Sequence, residues 1–332
     1  MSQPARAPLI LRWLNKAARK GWIRFDQYSP LKRLAIAYYI LSRGLWRSMR
    51  QITDPGRALW ALIFSSDRYT LSLPGHPVQT LQMSPLNFLS LLRLIRAGYV
   101  PKAVDAEKNA LTIEMAPGVF YTAYVANAMD LVPLKELLLE QEYGASFRGY
   151  RILDVGAYRG ETALFFCIHG AEKVIAAEPA PDNYALAQQN IQQSPYQERI
   201  DLLPLAIADK SGTLPLCIDP RHSNAHRLNL YHEDAQEASL TVEVPVWGFQ
   251  QLVDYSGWDE IDMVKLDCEG AEYPILLNTP AEILRRVRRW MIEYHDSPAP
   301  LQRRLREMGY EVQSLRDRGT LGILYAERLS QA

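Results

Sequence analysis

Six side chains stand out by type and spacing: Asp154, Glu178, Asp267, Glu269, Glu272 and His295. Asp154 lies in Arg151-Ile-Leu-Asp-Val-Gly-Ala-Tyr-Arg-Gly-Glu-Thr162, an apolar run broken into a turn by Gly156 and Gly160. Glu178 ends a second apolar run, 24 positions after Asp154. An acid placed there can accept from two vicinal ribose hydroxyls. Asp267 and Glu269 follow a third run, and His295 closes Ile292-Glu-Tyr-His295. Such a histidine can take a proton from a hydroxyl, because an ordinary pKa of about 6.5 leaves it mostly neutral at pH 7. Asp267 and Glu269 would position the hydroxyls of an acceptor, and Lys265, inside its strand, would pair with a nearby acid.

These residues can meet only if their strands end at one edge. Ile152 to Val155 read as a buried parallel strand, and Thr162 to Ile168 as the helix behind a glycine turn. Such a turn lets a ligand approach the backbone, and the helix start offers unpaired N–H groups. A pyrophosphate cofactor asks for Gly-x-Gly-x-x-Gly. Here the glycines are spaced Gly-x-x-x-Gly behind Asp154, which suits S-adenosylmethionine (SAM), a ligand without a pyrophosphate. Asp154, Gly156, Ala157, Tyr158 and Gly160 would line its methionine side, with Glu178 on the ribose. Pro179 and the turn Ala206, Ala208, Asp209 would flank the adenine. The alternative is a glycine-punctuated core unit that binds nothing.

At this point the sequence resembles the FkbM-type SAM-dependent methyltransferases. The resemblance rests on Leu153-Asp-Val-Gly-Ala157, Ala177-Glu-Pro179, Lys265-Leu-Asp-Cys-Glu-Gly-Ala-Glu272 and Ile292-Glu-Tyr-His295, and covers about residues 131 to 327. The Lys-x-Asp-x-Glu-Gly-x-Glu block is its most specific part. It implies a methyltransferase with SAM as cofactor and a final antiparallel strand. Tyr158, where the family usually has Asn, and Trp247-Gly-Phe249, where it usually has a Thr-Leu-Asp-like segment, depart from the pattern and bear on the acceptor.

Other chemistries fit less well. Cys167, Cys217 and Cys268 are an odd, widely spaced set without C-x-x-C, against a disulfide framework or a zinc site, and they point to a reducing, cytoplasmic compartment. His222, His226 and His232 read as solvated loop histidines. Asp267, Glu269 and Glu272 could hold Mg²⁺, but methyl transfer from a sulfonium needs no metal, so none is expected. No Gly-x-Ser-x-Gly elbow marks a hydrolase.

The net charge of zero conceals an asymmetry. Residues 1–50 carry eleven Lys/Arg and one acid, a net of +10, and the remainder a net of −10. Arg12 interrupts the early apolar run, against a secretory signal. Residues 8–21 and the series Leu31, Leu34, Tyr38, Leu41, Leu45 repeat at helical spacing. They read either as a peripheral contact with an anionic membrane surface or as a helical pair packed on the rest with a solvated basic face. Nucleic acid is disfavoured by the acidic remainder.

Three regions follow: 1–66, a basic amphipathic helical segment; 67–130, a small α/β accessory module; and 131–332, the methyltransferase domain. Strands at Ile152–Val155, Val174–Ala177, Ile200–Ala206, Ile261–Leu266 and Arg289–Glu293 alternate with helices and precede a terminal hairpin. The fold class is therefore α/β, a doubly wound, mostly parallel sheet of the seven-stranded methyltransferase type. The functional reading is O-methylation of a hydroxyl on a sugar, glycolipid or related metabolite. The competing class is a non-catalytic SAM- or nucleotide-binding regulator docked to a membrane by its basic helices.

Overall fold

A computed structural model of the 332-residue chain describes residues 30–64, 67–73, 76–126, 130–141, 143–218, 227–228, 240–317 and 319–329. The helix expected over residues 8–21, and His222, His226 and His232, lie outside the described residues. The chain divides into two compact units, Met1–Glu114 with Thr122–Glu140, and Met115–Tyr121 with Gln141–Ala332.

The first unit opens with helices α1 (Pro30–Ser42), α2 (Trp46–Ile52) and α3 (Pro55–Ile63). Asp54 caps α3, accepting from the Arg57 N–H at 2.8 Å, and Pro55 begins it where no N–H is needed. Strands β1 (Arg68–Leu71) and β2 (Gln79–Gln82) pair antiparallel. Helix α4 (Pro85–Arg96) is capped by Ser84, whose hydroxyl accepts from the Asn87 N–H at 3.0 Å. Strands β3 (Pro101–Asp105), β4 (Ala110–Ala116) and β5 (Val119–Tyr124) form a three-stranded sheet. Helix α5 (Val132–Lys135) is followed by a π-helical turn, Glu136–Glu140. That wider turn brings residues five apart together, and Lys135 reaches Glu140 at 2.9 Å.

In the second unit a seven-stranded sheet runs in the order β15-β16-β14-β13-β6-β7-β8. Its strands are β6 (Arg151–Val155), β7 (Lys173–Ala177), β8 (Ile200–Leu203), β13 (Met263–Leu266), β14 (Arg289–Tyr294), β15 (Tyr310–Asp317) and β16 (Gly322–Arg328). The pairs from β14 through β8 are parallel, whereas β16 is antiparallel to both β14 and β15. Helices α6 (Glu161–Ile168), α7 (Pro181–Gln192), α8 (Phe249–Ser256), α9 (Glu272–Asn278), α10 (Ala281–Leu284) and α11 (Ala299–Glu307) connect them. The parallel strands are buried on both faces, as their continuous apolar runs require. Trp290 of β14 is wholly buried, 5.6 Å from the Phe249 ring that opens α8.

Two expectations need correction here. The strand read as Ile200–Ala206 breaks at Pro204, which has no N–H for a ladder. Its first half is β8, and its second half, β9 (Ala206–Ala208), joins another sheet in the order β11-β10-β12-β9. The partners there are β10 (Gly212–Ile218), β11 (Arg227–Leu228) and β12 (Leu240–Gly248). Asp182, which by type and its place ahead of a helical run reads as the cap of α7, sits instead in its first turn, and the cap position is Ala180. The Ala180 N–H donates to the Glu178 carboxylate at 2.9 Å, and no side chain caps the first turn of α7. Among the described residues, no helix is long and apolar enough to cross a membrane.

Candidate active site

Strands β6 and β13 are neighbours although six strands separate them in the sequence, so the strand order reverses between them. Ligands of open α/β sheets settle in the crevice at such a reversal, beyond the strands' C-terminal ends. The sequence-chosen residues surround that point. Asp154 and Lys265 face each other across the register, Gly156 begins the turn after β6, and Glu178 follows β7. Asp267 and Glu269 follow β13, and His295 follows β14.

The turn after β6 is held closely. Gly156 has φ +81°, and a Cβ on it would lie 1.8 Å from the Asp267 carbonyl oxygen, so two backbones meet where only glycine fits. The Gly156 and Ala157 N–H groups both donate to the Ala177 carbonyl at 3.0 Å. Tyr158 also lies in the left-handed region, at φ +50°, which is costly for an aromatic residue. Its N–H donates to Glu178 Oε2 at 3.0 Å, tying the turn to the end of β7. Asn, the usual family residue at this position, tolerates that backbone better. Gly160, at φ +87°, precedes α6.

Beneath the turn, Asp154 is fully buried. It accepts from the Thr162 hydroxyl at 2.5 Å and pairs with Lys265 at 3.3 Å. Lys265 also donates to the Gly156 carbonyl at 2.6 Å and lies 3.5 Å from Asp267. Burial opposes its ammonium charge, but Asp154, Asp267 and Glu161 outweigh burial and raise its pKa. Asp154 therefore supports the turn from below rather than lining its open side. Glu161, which sequence reading passed over, is buried and accepts from the Tyr121 hydroxyl at 3.0 Å. Burial pushes its pKa up to about 7. The available signal was an acid directly after the second glycine.

Glu178 is buried, and burial raises its pKa to about 7 against the N–H groups of Ala180 and Tyr158 and the Asn183 side chain. Pro179 is half-buried beside it. Ala206 and Ala208 are buried in β9, and Asp209 beyond them accepts from the Asn278 amide at 2.9 Å.

The second cluster is built on Glu272, at the start of α9 and wholly buried. One carboxylate oxygen accepts from the His295 N–H at 3.1 Å and from its Nδ1 at 2.9 Å. The other accepts from the Gly270 N–H at 2.8 Å. His295 Nε2 then faces Glu269 at 3.5 Å. Glu269, at φ +53°, and Gly270, at φ +110°, form the left-handed turn that brings the two acids to one imidazole. Burial works against the imidazolium, yet the Glu272 hydrogen bond and the Glu269, Glu272 and Asp267 charges prevail and raise His295 to about 9. The expectation of a mostly neutral His295 at pH 7 is thereby corrected. It rested on the ordinary value, without the carboxylate of Glu272 held against the ring. Among the described residues, no group of three or more His, Cys, Asp or Glu is arranged to hold a metal ion.

The family model described as the Methyltransferase FkbM domain matches residues 154–317. This part of the chain belongs to the FkbM methyltransferase family. An FkbM methyltransferase from Methylobacillus flagellatus KT is similar in structure, with 16% identity over 54% of this chain and a TM-score of 0.38. The match spans 43% of that protein's length. The ribosomal protein L11 methylase of Lactobacillus delbrueckii subsp. bulgaricus aligns at 14% identity, over 59% of this chain and 78% of its own, with a TM-score of 0.35. The candidate methyltransferase SMU.776, complexed with SAH, aligns at 10% identity over 67% of this chain and 57% of its own, with a TM-score of 0.38. No curated protein matches the sequence.

The cofactor of the FkbM methyltransferase domain is SAM. The residues present fit it. A ribose needs a carboxylate at the end of the second strand, and Glu178 is there, oriented by two N–H groups. The two glycines lie in a turn too short for the three-glycine pyrophosphate pattern.

Proposed function

We propose that this FkbM methyltransferase methylates a hydroxyl of a sugar, glycolipid or related polyol-like metabolite. The carrying observation is the chain Glu272–His295–Glu269 at the ends of β13 and β14, with Asp267 beside it. Bound SAM supplies an electrophilic methyl on a sulfonium. The chain's own residues have three tasks. Glu178 holds the ribose, with Asp154, Gly156, Ala157, Tyr158 and Gly160 shaping the methionine side and Pro179, Ala206, Ala208 and Asp209 bordering the adenine.

Asp267 and Glu269 accept from hydroxyls of the acceptor and fix its orientation. His295 is the base, using the Nε2 lone pair exposed when its side-chain proton resides on Nδ1 against Glu272. Nε2 would take the acceptor O–H proton as the oxygen is methylated, with SAM supplying the methyl and leaving as S-adenosylhomocysteine. In-line attack needs the acceptor oxygen roughly 3–3.5 Å from the methyl carbon. The carboxylates favour an acceptor rich in hydroxyls over an anionic one.

Residues 131–332 carry this chemistry, with 1–66 and 67–130 as accessory segments. The cysteines Cys167, Cys217 and Cys268 are unpaired, which supports a reducing cytoplasmic setting. The test is transfer of an isotopically labelled methyl from SAM into glycan and lipid extracts, followed by mass spectrometry. The expected product is a methyl ether on a polyol. Label confined to nitrogen or carbon acceptors would overturn the reading.

A further inference from the structure

Helix α1 is apolar on both sides. Its inner face is Ala35, Ile36, Ala37 and Ile40, with Arg33 buried and donating to the Leu62 carbonyl at 3.0 Å and to Asp67 at 2.9 Å. The repeating stripe that the sequence presents, Leu34, Tyr38 and Leu41, points the other way and is 50%, 56% and 52% exposed. Arg33 is internal, and Asp67 pairs with it there. Helix α3 packs against α1 and repeats the arrangement. It buries Ala58, Ala61 and Leu62 while leaving Trp60 59% and Phe64 64% exposed, their rings 5.4 Å apart. Five of the eleven exposed large hydrophobic residues described thus lie along two neighbouring helices.

The surroundings are basic. Residues 30–68 contain seven Lys/Arg and two Asp, a net of +5. Asp67 pairs with Arg33 and Asp54 is engaged as the α3 cap. Arg47, Arg50 and Arg57 are exposed, and Arg50 lies 4.5 Å from the Trp46 ring. A groove of about 450 Å³ lined by Arg57, Trp60 and Arg68 joins the cationic and aromatic parts.

We infer that the outer faces of α1 and α3 form a docking surface for an anionic lipid bilayer. Trp60 and Tyr38 suit the headgroup level, Leu34, Leu41 and Phe64 the acyl boundary, and the arginines the lipid phosphates. Nucleic acid would draw on the arginines but leave the leucine stripe in water. A protein partner would need acidic residues against this rim, and a second copy brings arginines to arginines. This inference is independent of the methyl-transfer reading.

The test is flotation of the full chain with vesicles of phosphatidylglycerol and phosphatidylcholine, against vesicles of phosphatidylcholine alone. The double variant Trp60→Ser/Phe64→Ser alters only exposed side chains, and thermal melting checks that it stays folded. Expected is binding to the anionic vesicles that weakens in high salt and falls by roughly tenfold or more in the variant. A second pair, Leu34→Ser/Leu41→Ser, should lose binding similarly. No binding to anionic vesicles, or equal binding by both folded variants, would overturn the inference. So would self-association or RNA binding abolished by the same substitutions in a chain that ignores vesicles.

Discussion

Glu272 approaches His295 with a single carboxylate oxygen that takes both its backbone and its ring N–H, at 3.1 and 2.9 Å. This fixes the proton on Nδ1 and leaves Nε2 as the atom that can exchange one. The same carboxylate stabilises the imidazolium, so the free base becomes abundant only as pH rises through about 9. If His295 is the base, kcat/KM should rise with pH by about tenfold per unit below that value and level off above it. Glu272→Gln removes a negative charge, so the limb should move to lower pH, toward the ordinary histidine value of about 6.5. His295→Ala should abolish the limb and cost about 10²–10⁴-fold in turnover while preserving SAM affinity. A profile unaltered by Glu272→Gln would assign the limb to another group. The types and spacing of Asp267, Glu269 and His295 were legible in the sequence. The protonation state was not, because it depends on a carboxylate buried against the ring, and spacing does not report burial.

Between residues and the whole fold, the glycine turn after β6 works as one element with the end of β13. Lys265 holds the Gly156 carbonyl, Glu178 holds the Tyr158 N–H, and the Asp267 carbonyl occupies the space that a Gly156 side chain would need. Gly156→Ala is therefore expected to lower Tm by roughly 5–10 °C and to weaken SAM binding sharply, since the clash is with backbone. Gly212→Ala, with nothing within 4 Å of the added Cβ, should change neither. Equal behaviour of the two variants in melting and in SAM titration would show that the turn tolerates displacement. The strand–turn–helix pattern was readable from the apolar run and the two glycines. The approach of the Asp267 carbonyl was not, because it joins segments more than a hundred residues apart. In the same way α1 shows apolar periodicity in the sequence, but the face that turns inward is that of Ala35, Ile36, Ala37 and Ile40, together with the Arg33–Asp67 pair.

On the scale of the molecule, the alternating strands and helices of residues 151–328 announce a doubly wound sheet, and the strand order places its reversal between β6 and β13. The split at Pro204 and the separate four-stranded sheet were less accessible, because a short apolar run does not show where its hydrogen bonds go. The reversal joins the account together: it brings four strand ends, and with them both clusters, to one crevice. The central claim is that SAM occupies this crevice with its ribose on Glu178. Calorimetric titration of SAM into the full chain and into Glu178→Ala tests it most directly. One SAM per chain is expected, with an affinity at least about tenfold weaker in the variant, consistent with loss of a hydrogen-bonded charged acceptor. Unchanged affinity in a folded Glu178→Ala protein would contradict it.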